Sequence, residues 1–521
     1  MIFPVSNRRW TFALAVIILL TAARIATTYR IFSQTSDEPW HLAAGYDFLK
    51  TGRQTSDLQH PPLARILFAL PFLDRTAPPT SDGLARGNAF LLRNDRYTQN
   101  LGRARIGNLV FVIIGIAAVA LWARHLFSPS AGLIAAALFA SIPVILAHGG
   151  LATTDMAVAA TLPAALYTLT LLIEGPTWSR TVIFGLIIAA GLLSKYSFIV
   201  YFPIAAMVVI MTRRRFPFPK MVVAALIACV FVWATFRFSF ATLQSADARA
   251  ADMCSEVFHA PRLATAFALP APDYFIGFIE VARHNRRGHR AFLFGEMRES
   301  GGWWYYFPVA LFFKTPIPFL ILTLLGTGVL IARRMLELPV IAATILAAAM
   351  TSRINIGVRH VMPIYGPLAV IAAFAVIELR RFRPLTAAFI VWLIVGSAIA
   401  HPDYLAWFNG FAGSHPERIL NDSNLDWGQD VLRLVREARK NHIAHLTTSL
   451  AGTADLDRIG LPAHTNLEAM ADVHGWLAIS EMMLAQGNAY SPAVRDWLTR
   501  LLGDKPYRRI GKSIRMYNIR R

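Results

Sequence analysis

The sequence predicts an α-helical polytopic membrane protein that ends in a small α/β domain. Three observations carry this. The 521 residues are 55% hydrophobic and only 16% charged, against about 25% charged in soluble domains. Apolar stretches of the ~20 residues a bilayer requires recur along most of the chain up to about residue 401. Beyond that point they stop, and a polar segment with helical and strand-like periodicities follows.

About eleven segments are expected to span, near 10–30, 106–123, 131–148, 154–173, 180–194, 196–212, 220–239, 304–331, 337–351, 361–379 and 385–401. Arg8 and Arg9 precede the first, which lacks a small-x-small cleavage site and so reads as a retained helix. The short connections between alternate pairs of spans hold Arg124; Arg180; Arg213, Arg214, Arg215 and Lys220; Arg333 and Arg334; and Arg380, Arg381 and Arg383, and with Arg8 and Arg9 they all fall on one side. The positive-inside rule then puts the N-terminus in the cytoplasm. It puts the long loops 31–105 and 240–303, and everything after about 402, outside. The break at Ser194-Lys195-Tyr196 is the hinge of this topology, because losing one span there inverts everything downstream. The chain divides into a membrane domain, 1–401, and an extracytoplasmic α/β domain, 402–521.

In the tail, Asp426-Trp427-Gly428-Gln429 fits a capping-box start, with Asp in place of Ser/Thr. Val431, Leu432, Leu434 and Val435 then fall at helical spacing before the basic end at Lys440. Strands are expected near 443–450, 475–480 and 507–518, and a second helix over 491–502.

The net charge of +20 points to anionic headgroups or phosphate-bearing substrates. There is no nucleic-acid motif, no phosphate-cradling glycine loop, no Cys/His metal spacing and no nucleophile elbow. The two cysteines, Cys229 and Cys254, exclude a disulfide framework.

Function is suggested by polar residues near membrane level. Asp37, Glu38 and His60 lie in the first outer loop, Asp155 follows the third span, Lys195 sits in the break, and Arg359 and His360 precede the tenth span. Ionisable residues at that depth face a cavity and serve function. Acids and cations converging on one face from distant segments have the composition of a site that handles a phosphate and a proton. Each residue also has a structural reading. Asp37 or Glu38 would cap the helix that begins at Pro39, Asp155 would cap the fourth span, Lys195 would snorkel, His60 would be a loop histidine, and Arg359 would pair with an acid. The stretch Gly301–Phe307 reads as an interfacial aromatic belt, Asp422–Asp430 as a loop seating the tail, and Arg283–Arg290 as a solvated surface.

The Asp-Glu pair after span one, the juxtamembrane helix, His60-Pro61-Pro62-Leu63, Thr153-Thr154-Asp155, Leu192–Tyr196, Ile356–His360, His401–Tyr404 and Asn424–Asp430 together resemble the GT-C glycosyltransferases. The similarity is to the glycosyltransferase family 39-like branch of protein O-mannosyltransferases and aminoarabinose transferases. It implies that the membrane domain is the catalytic domain. It implies sugar transfer from a polyprenyl-phosphate carrier to an acceptor hydroxyl, on the extracytoplasmic face of the cell (inner) membrane, with inversion. Asp37 is then the base, Glu38 orients acceptor or carrier, and Asp155 holds Asp37 or the sugar. Lys195 and Arg359, assisted by His60 and His360, bind the leaving phosphate. His60 stands where many relatives carry lysine. The resemblance fixes no cofactor: relatives differ, and a divalent ion bridging the acids and the phosphate stays open. The partners are the lipid-linked donor, membrane lipids and a protein, glycolipid or glycan acceptor, and no nucleic acid. The rival readings are a transporter or flippase of an anionic lipid or sugar phosphate, and a non-catalytic anchor for the tail.

Overall fold

The computed structural model describes residues 7–76, 80, 82–487, 492–503 and 505–519. Each expected span is a helix or a bent helix pair. Among the described residues, Asn7–Ala26, Tyr97–Leu126, Asp155–Glu174, Phe218–Thr235 and Val358–Glu378 are by themselves long and apolar enough to cross a bilayer. Two further spans are bent pairs, Pro129–Ala140 with Pro143–Gly149 at 69° and Tyr306–Lys314 with Ile317–Ala332 at 117°. Both bends fall at a proline, which removes a helical N–H and crowds the preceding turn. Four expected spans are shorter apolar helices, Trp178–Leu192, Ser197–Arg213, Glu337–Met350 and Arg383–Ile399. The protein is a multi-pass membrane protein, and the break at Ser194–Tyr196 separates two helices as its sequence suggests.

The helix Asp155–Glu174 is the centre of the bundle. Its most apolar window is 89% buried, and it packs on Leu109–Leu126, Trp178–Leu192 and Ser197–Arg213. Ala157, Ala159, Ala160, Ala164 and Ala165 let those backbones approach closely, as small residues do between membrane helices. By contrast, Phe218–Thr235 is only 17% buried and lies at the periphery.

The first long loop folds into the helices Glu38–Thr51, Pro62–Ala69 and Gly83–Leu92 and the lead-in Tyr97–Ile106. The second includes the amphipathic helix Pro272–Arg287 and a hairpin of Ala291–Leu293 with Glu296–Arg298.

The tail holds a five-stranded mixed sheet in the spatial order Ala463–Asn466, His445–Ser449, Gly475–Ser480, Ile514–Ile519, Tyr507–Ile510. The first three are parallel and the last two antiparallel to their neighbours. The run expected as one strand over 507–518 is two strands joined through Gly511. That residue has φ +58°, and a Cβ there would meet the Asp430 carboxylate at 2.3 Å, so only glycine fits. The strand Ala463–Asn466 and the helix Glu481–Gly487 had no periodicity to announce them. The second tail helix runs Pro492–Leu502, and residue 491 lies outside the described residues.

The expected capping box does not form. The helix starts at Val431 with Asp430 at its cap position. Asp426 is buried and accepts from the N–H groups of Gly428 at 3.3 Å and Met482 at 2.8 Å, which ties the loop to the sheet.

Candidate active-site cavity

A cavity of about 680 Å³ opens between the bundle and the two outer loops. Its wall combines apolar side chains, among them Val200, Val281, Phe307, Ala348, Ala349 and Ile356, with the polar Asp37, His41, Asp57, His60, Lys195, Arg359 and His360.

Asp37 occupies the cap position of Glu38–Thr51 yet makes no side-chain cap bond. Its Oδ2 instead accepts from Arg359 Nη1 at 2.9 Å, and its side chain remains 32% exposed. Arg359 Nη1 is also 3.7 Å from Asp155 Oδ2. Lys195 Nζ donates to Asp155 Oδ1 at 2.5 Å. Lys195 is therefore paired and buried rather than snorkelling. Four chain segments, the first loop, the start of a central helix, the break that holds Lys195 and the 3₁₀ turn Val358–Ile364, thus meet in one charge cluster. Asp155 Oδ2, Arg359 Nε, His41 Nε2 and His360 Nε2 are all buried there without a hydrogen-bond partner among the described residues. Buried polar atoms are normally satisfied, so this concentration marks a place where a polar ligand completes the network.

Glu38 does not belong to the cavity wall. Arg105 grips it with two bonds, Nε to Oε1 at 2.8 Å and Nη2 to Oε2 at 2.7 Å, and both side chains are 1% exposed. Glu38 also accepts from the backbone N–H groups of Thr35 and Ala152, each at 2.8 Å. Because Ala152 leads into Asp155, this clamp joins the two acid-bearing segments. Glu38 can orient Asp37 through the backbone, but it cannot reach a ligand in the cavity.

His60 lines the cavity beside Asp57, His41 and Arg65. Arg65 Nε donates to His41 Nδ1 at 3.2 Å, its Nη1 donates to the backbone carbonyls of Asp57 and His60, and its Nη2 pairs with Asp57. Burial alone would raise the Asp57 carboxyl, but the Arg65 charge and the His60 bond outweigh it and hold the group well below the usual range. Burial keeps His60 below its ordinary value against the opposing pull of Asp57, and His41 likewise well below. Both are thus neutral near pH 7, and because the one proton of His60 goes from Nδ1 to Asp57, its Nε2 offers a ligand a lone pair and no charge. His41, Asp57 and His60 place ligand atoms within 4.8 Å of one another, the spacing of a metal site. The Arg65 guanidinium is bonded to all three, and a dication would have to displace it. Asp37 and Asp155 are likewise engaged by Arg359 and Lys195. The set does not fit a resident metal ion.

The tail reaches the site. Arg359 lies 4.2 Å from the centre of the Trp427 ring, a cation–π contact that orients the guanidinium. The loop Asp422–Asp430 is stitched to the membrane domain by Ser33 N to Gln429 O, Ser36 N to Trp427 O and Val358 N to Asn424 Oδ1. Lys314 Nζ adds bonds to Leu405 O at 2.8 Å and Asn424 O at 2.6 Å. Gly357 is pressed so closely that a Cβ would meet Ser423 Oγ at 2.1 Å. The seating role expected for this loop is met, with a contact to Arg359 added. Burial raises Asp422 to about 6 despite the nearby Arg359 charge.

Sequence reasoning did not single out His41, Asp57, Arg65, Arg105 or Trp427. Arg65 was detectable as the single cation of the apolar helix Pro62–Ala69, whereas Arg105 shares its helix with Arg103 and carries no such signal. The stretch read as solvated, 283–290, divides: Arg283 and Arg287 pair with Glu256, whereas His284, Asn285 and His289 line the cavity. Trp304 is exposed as a belt residue would be, while Trp303, Tyr306 and Phe307 are buried.

Residues 98–236, less than half of the chain, match the family model of dolichyl-phosphate-mannose-protein mannosyltransferase. Curated proteins give no significant sequence match. The structure is similar to that of ArnT from Cupriavidus metallidurans bound to undecaprenyl phosphate, with a TM-score of 0.51, 11% identity and 98% of each chain covered. The apo state of that ArnT aligns with a TM-score of 0.51 and 12% identity over 97% of this chain and 98% of that one. An oligosaccharyltransferase from Archaeoglobus fulgidus gives a TM-score of 0.46 and 14% identity over 89% of this chain and 65% of that one. At these identities the ArnT likeness speaks to architecture alone, and the chain shares the fold of that protein over nearly its whole length.

Proposed function

We propose that this GT-C-fold membrane protein transfers a sugar from a polyprenyl-phosphate carrier to an acceptor hydroxyl, inverting the anomeric carbon. One observation carries the reading. A solvent-reachable carboxylate, Asp37, stands beside Arg359 in a cavity lined by both apolar side chains and cations. The apolar side chains suit a prenyl chain, and Arg359 and Lys195 suit its phosphate. Binding of undecaprenyl phosphate by the similarly folded ArnT supports the same class of carrier.

In this mechanism the acceptor oxygen attacks the anomeric carbon as its proton passes to Asp37. The bond from that carbon to the phosphate oxygen breaks on the opposite side. The leaving polyprenyl phosphate carries its negative charge to Arg359 and Lys195, whose positions are set before the reaction by Asp155 and Trp427. His360 donates an N–H bond to the phosphate, and His60, whose Nδ1 proton goes to Asp57, shapes the wall beside it. Glu38 acts from behind, by fixing the Asp37 backbone. No step is routed through a metal ion, because each of the three acids already has a cation. The positive-inside pattern supports an N-terminus in the cytoplasm and a site on the extracytoplasmic face of the cell (inner) membrane. The acceptor is a hydroxyl of a protein, glycolipid or glycan.

The test is transfer from radiolabelled polyprenyl-phosphate sugars in membranes holding wild type or Asp37→Asn at matched expression. Transfer by wild type that drops about 10²–10⁴-fold in the variant, with carrier binding retained, supports the reading. Equal transfer by both removes Asp37 from the chemistry. Movement of labelled lipid across the bilayer without transfer overturns the enzyme in favour of a transporter.

A further inference from the structure

Helix Pro272–Arg287 and the residues after it place a histidine pair in the cavity wall, outside the Asp37–Arg359–Lys195 cluster. His284 Nδ1 lies 3.2 Å from Gln59 Oε1, and His284 Nε2 lies 3.0 Å from His289 Nδ1. Gly288, at φ +78°, makes the turn that brings His289 back onto His284. His289 also bonds through its backbone N–H to Arg353 O.

These contacts have one consistent polarity. The Gln59 oxygen can only accept, so the neutral His284 ring carries its proton on Nδ1 and presents a lone pair at Nε2. His289 must then donate from Nδ1, which leaves its Nε2 unprotonated. Burial holds both rings below their ordinary values, in the neutral state this polarity requires. The charges around His289 are Arg359, Arg290 and Asp37, and Glu280 faces His284. Cations therefore outnumber acids around His289, which further opposes an imidazolium.

His289 lines both the main cavity and a second one of about 60 Å³. The smaller cavity takes its polar wall from Asn355, Asn421 and the tail residue Asp422. A polar molecule approaching from the tail side thus meets His289 next to Asp37.

We infer that Gln59, His284 and His289 form a tautomer-locked chain that presents His289 Nε2 as a hydrogen-bond acceptor for the hydroxyl of the incoming acceptor. The inference rests on the sugar-transfer reading and adds a positioning residue on the acceptor side. The proton still leaves to Asp37. His289 aims the hydroxyl, and Gln59 and His284 act through it. Ligands lacking a hydroxyl donor forgo this hydrogen bond, which is a means of selection.

The experiment is histidine-selective ¹⁵N NMR on the full chain in lipid nanodiscs, with His289 assigned by difference against His289→Gln. The expected spectrum has His289 protonated at Nδ1 only, and Gln59→Leu returns the pair to mixed tautomers. A methyl glycoside added as the probe shifts Nε2, and its per-O-methylated analogue does not. Protonation at Nε2, indifference to Gln59→Leu, or equal shifts from both glycosides overturns the inference. Where wild type transfers sugar, His289→Gln is expected to raise the acceptor KM about 3–10-fold, the value of one hydrogen bond, with the donor KM unchanged. A wild type that transfers nothing defeats the transfer reading alone, and the spectra still decide the chain of tautomers.

Discussion

The Arg105–Glu38 clamp gives the sharpest prediction. Replacing Arg105 by Met keeps most of the side-chain volume and removes the charge. Glu38 would remain 1% exposed, with its bonds from Thr35 N and Ala152 N but no cation. Stripping one partner from a buried ion pair costs about 3–5 kcal/mol. The two surviving backbone donors reduce that, so about 3 kcal/mol is expected. Arg105 Nη2 also donates to Ser33 O at 2.8 Å, and Ser33 anchors the tail loop through Gly428 O. The loss therefore spreads toward Trp427. For 150–250-residue domains each kcal/mol shifts Tm by about 2–4 °C, so for this longer chain the drop should not exceed about 6–12 °C in detergent. Glu38→Gln alone leaves Arg105 uncompensated and should cost a similar amount. The double variant, with both charges gone, should be more stable than either single one, because a neutral pair carries no unpaired buried charge. Thermal unfolding of the four proteins decides this. Single variants within 1 kcal/mol of wild type, or a double variant as weak as the sum of the two, would refute the reasoning.

Arg359→Lys keeps the charge but loses the planar group that stacks on Trp427 and spans two carboxylates. Sugar transfer should fall about 10²-fold with the melting temperature nearly unchanged, and unchanged transfer would remove Arg359 from the leaving-group site. Burial raises Asp426 to about 7, so the folded state binds its proton more tightly than the unfolded state. Stability then declines as pH climbs from about 4 to about 7, by an amount on the order of a few kcal/mol. Melting curves at pH 5 and pH 8 should show a smaller decline in Asp426→Asn than in wild type, and an identical decline would sink the assignment. Transfer activity should survive a chelator such as EDTA, because Asp37, Asp155 and Asp57 are already paired with Arg359, Lys195 and Arg65. Loss on chelation, restored by a divalent ion, would show that a metal displaces one of those cations.

Much of the architecture was legible because hydrocarbon imposes a length and composition rule that soluble cores do not. Eleven apolar segments read from the sequence became helices or bent pairs, and the prolines at their bends were visible. The acids and cations of the site were legible for the same reason, since a charge near membrane level is costly enough to be noticed. The tail was less legible. Its short strands, such as Ala463–Asn466, carry only four residues of pattern, and its apparent capping box gave way to burial of Asp426 against Met482.

What the sequence determined by itself is therefore the bundle, the break at Lys195 and the gathering of Asp37, Asp155, Lys195 and Arg359. Tertiary structure alone decided how the two adjacent acids divide. Asp37 and Glu38 are neighbours with equal charge, and no periodicity separates them. Arg105, 67 positions away, captures one, and Arg359, 322 positions away, meets the other. The same holds for His284 and His289, which read as surface until Gln59, 225 positions from His284, fixes the ring from across the cavity. Hydrophobic patterning acts within a segment and is written locally, whereas hydrogen-bond partners are chosen across segments only once the packing brings them within 3 Å.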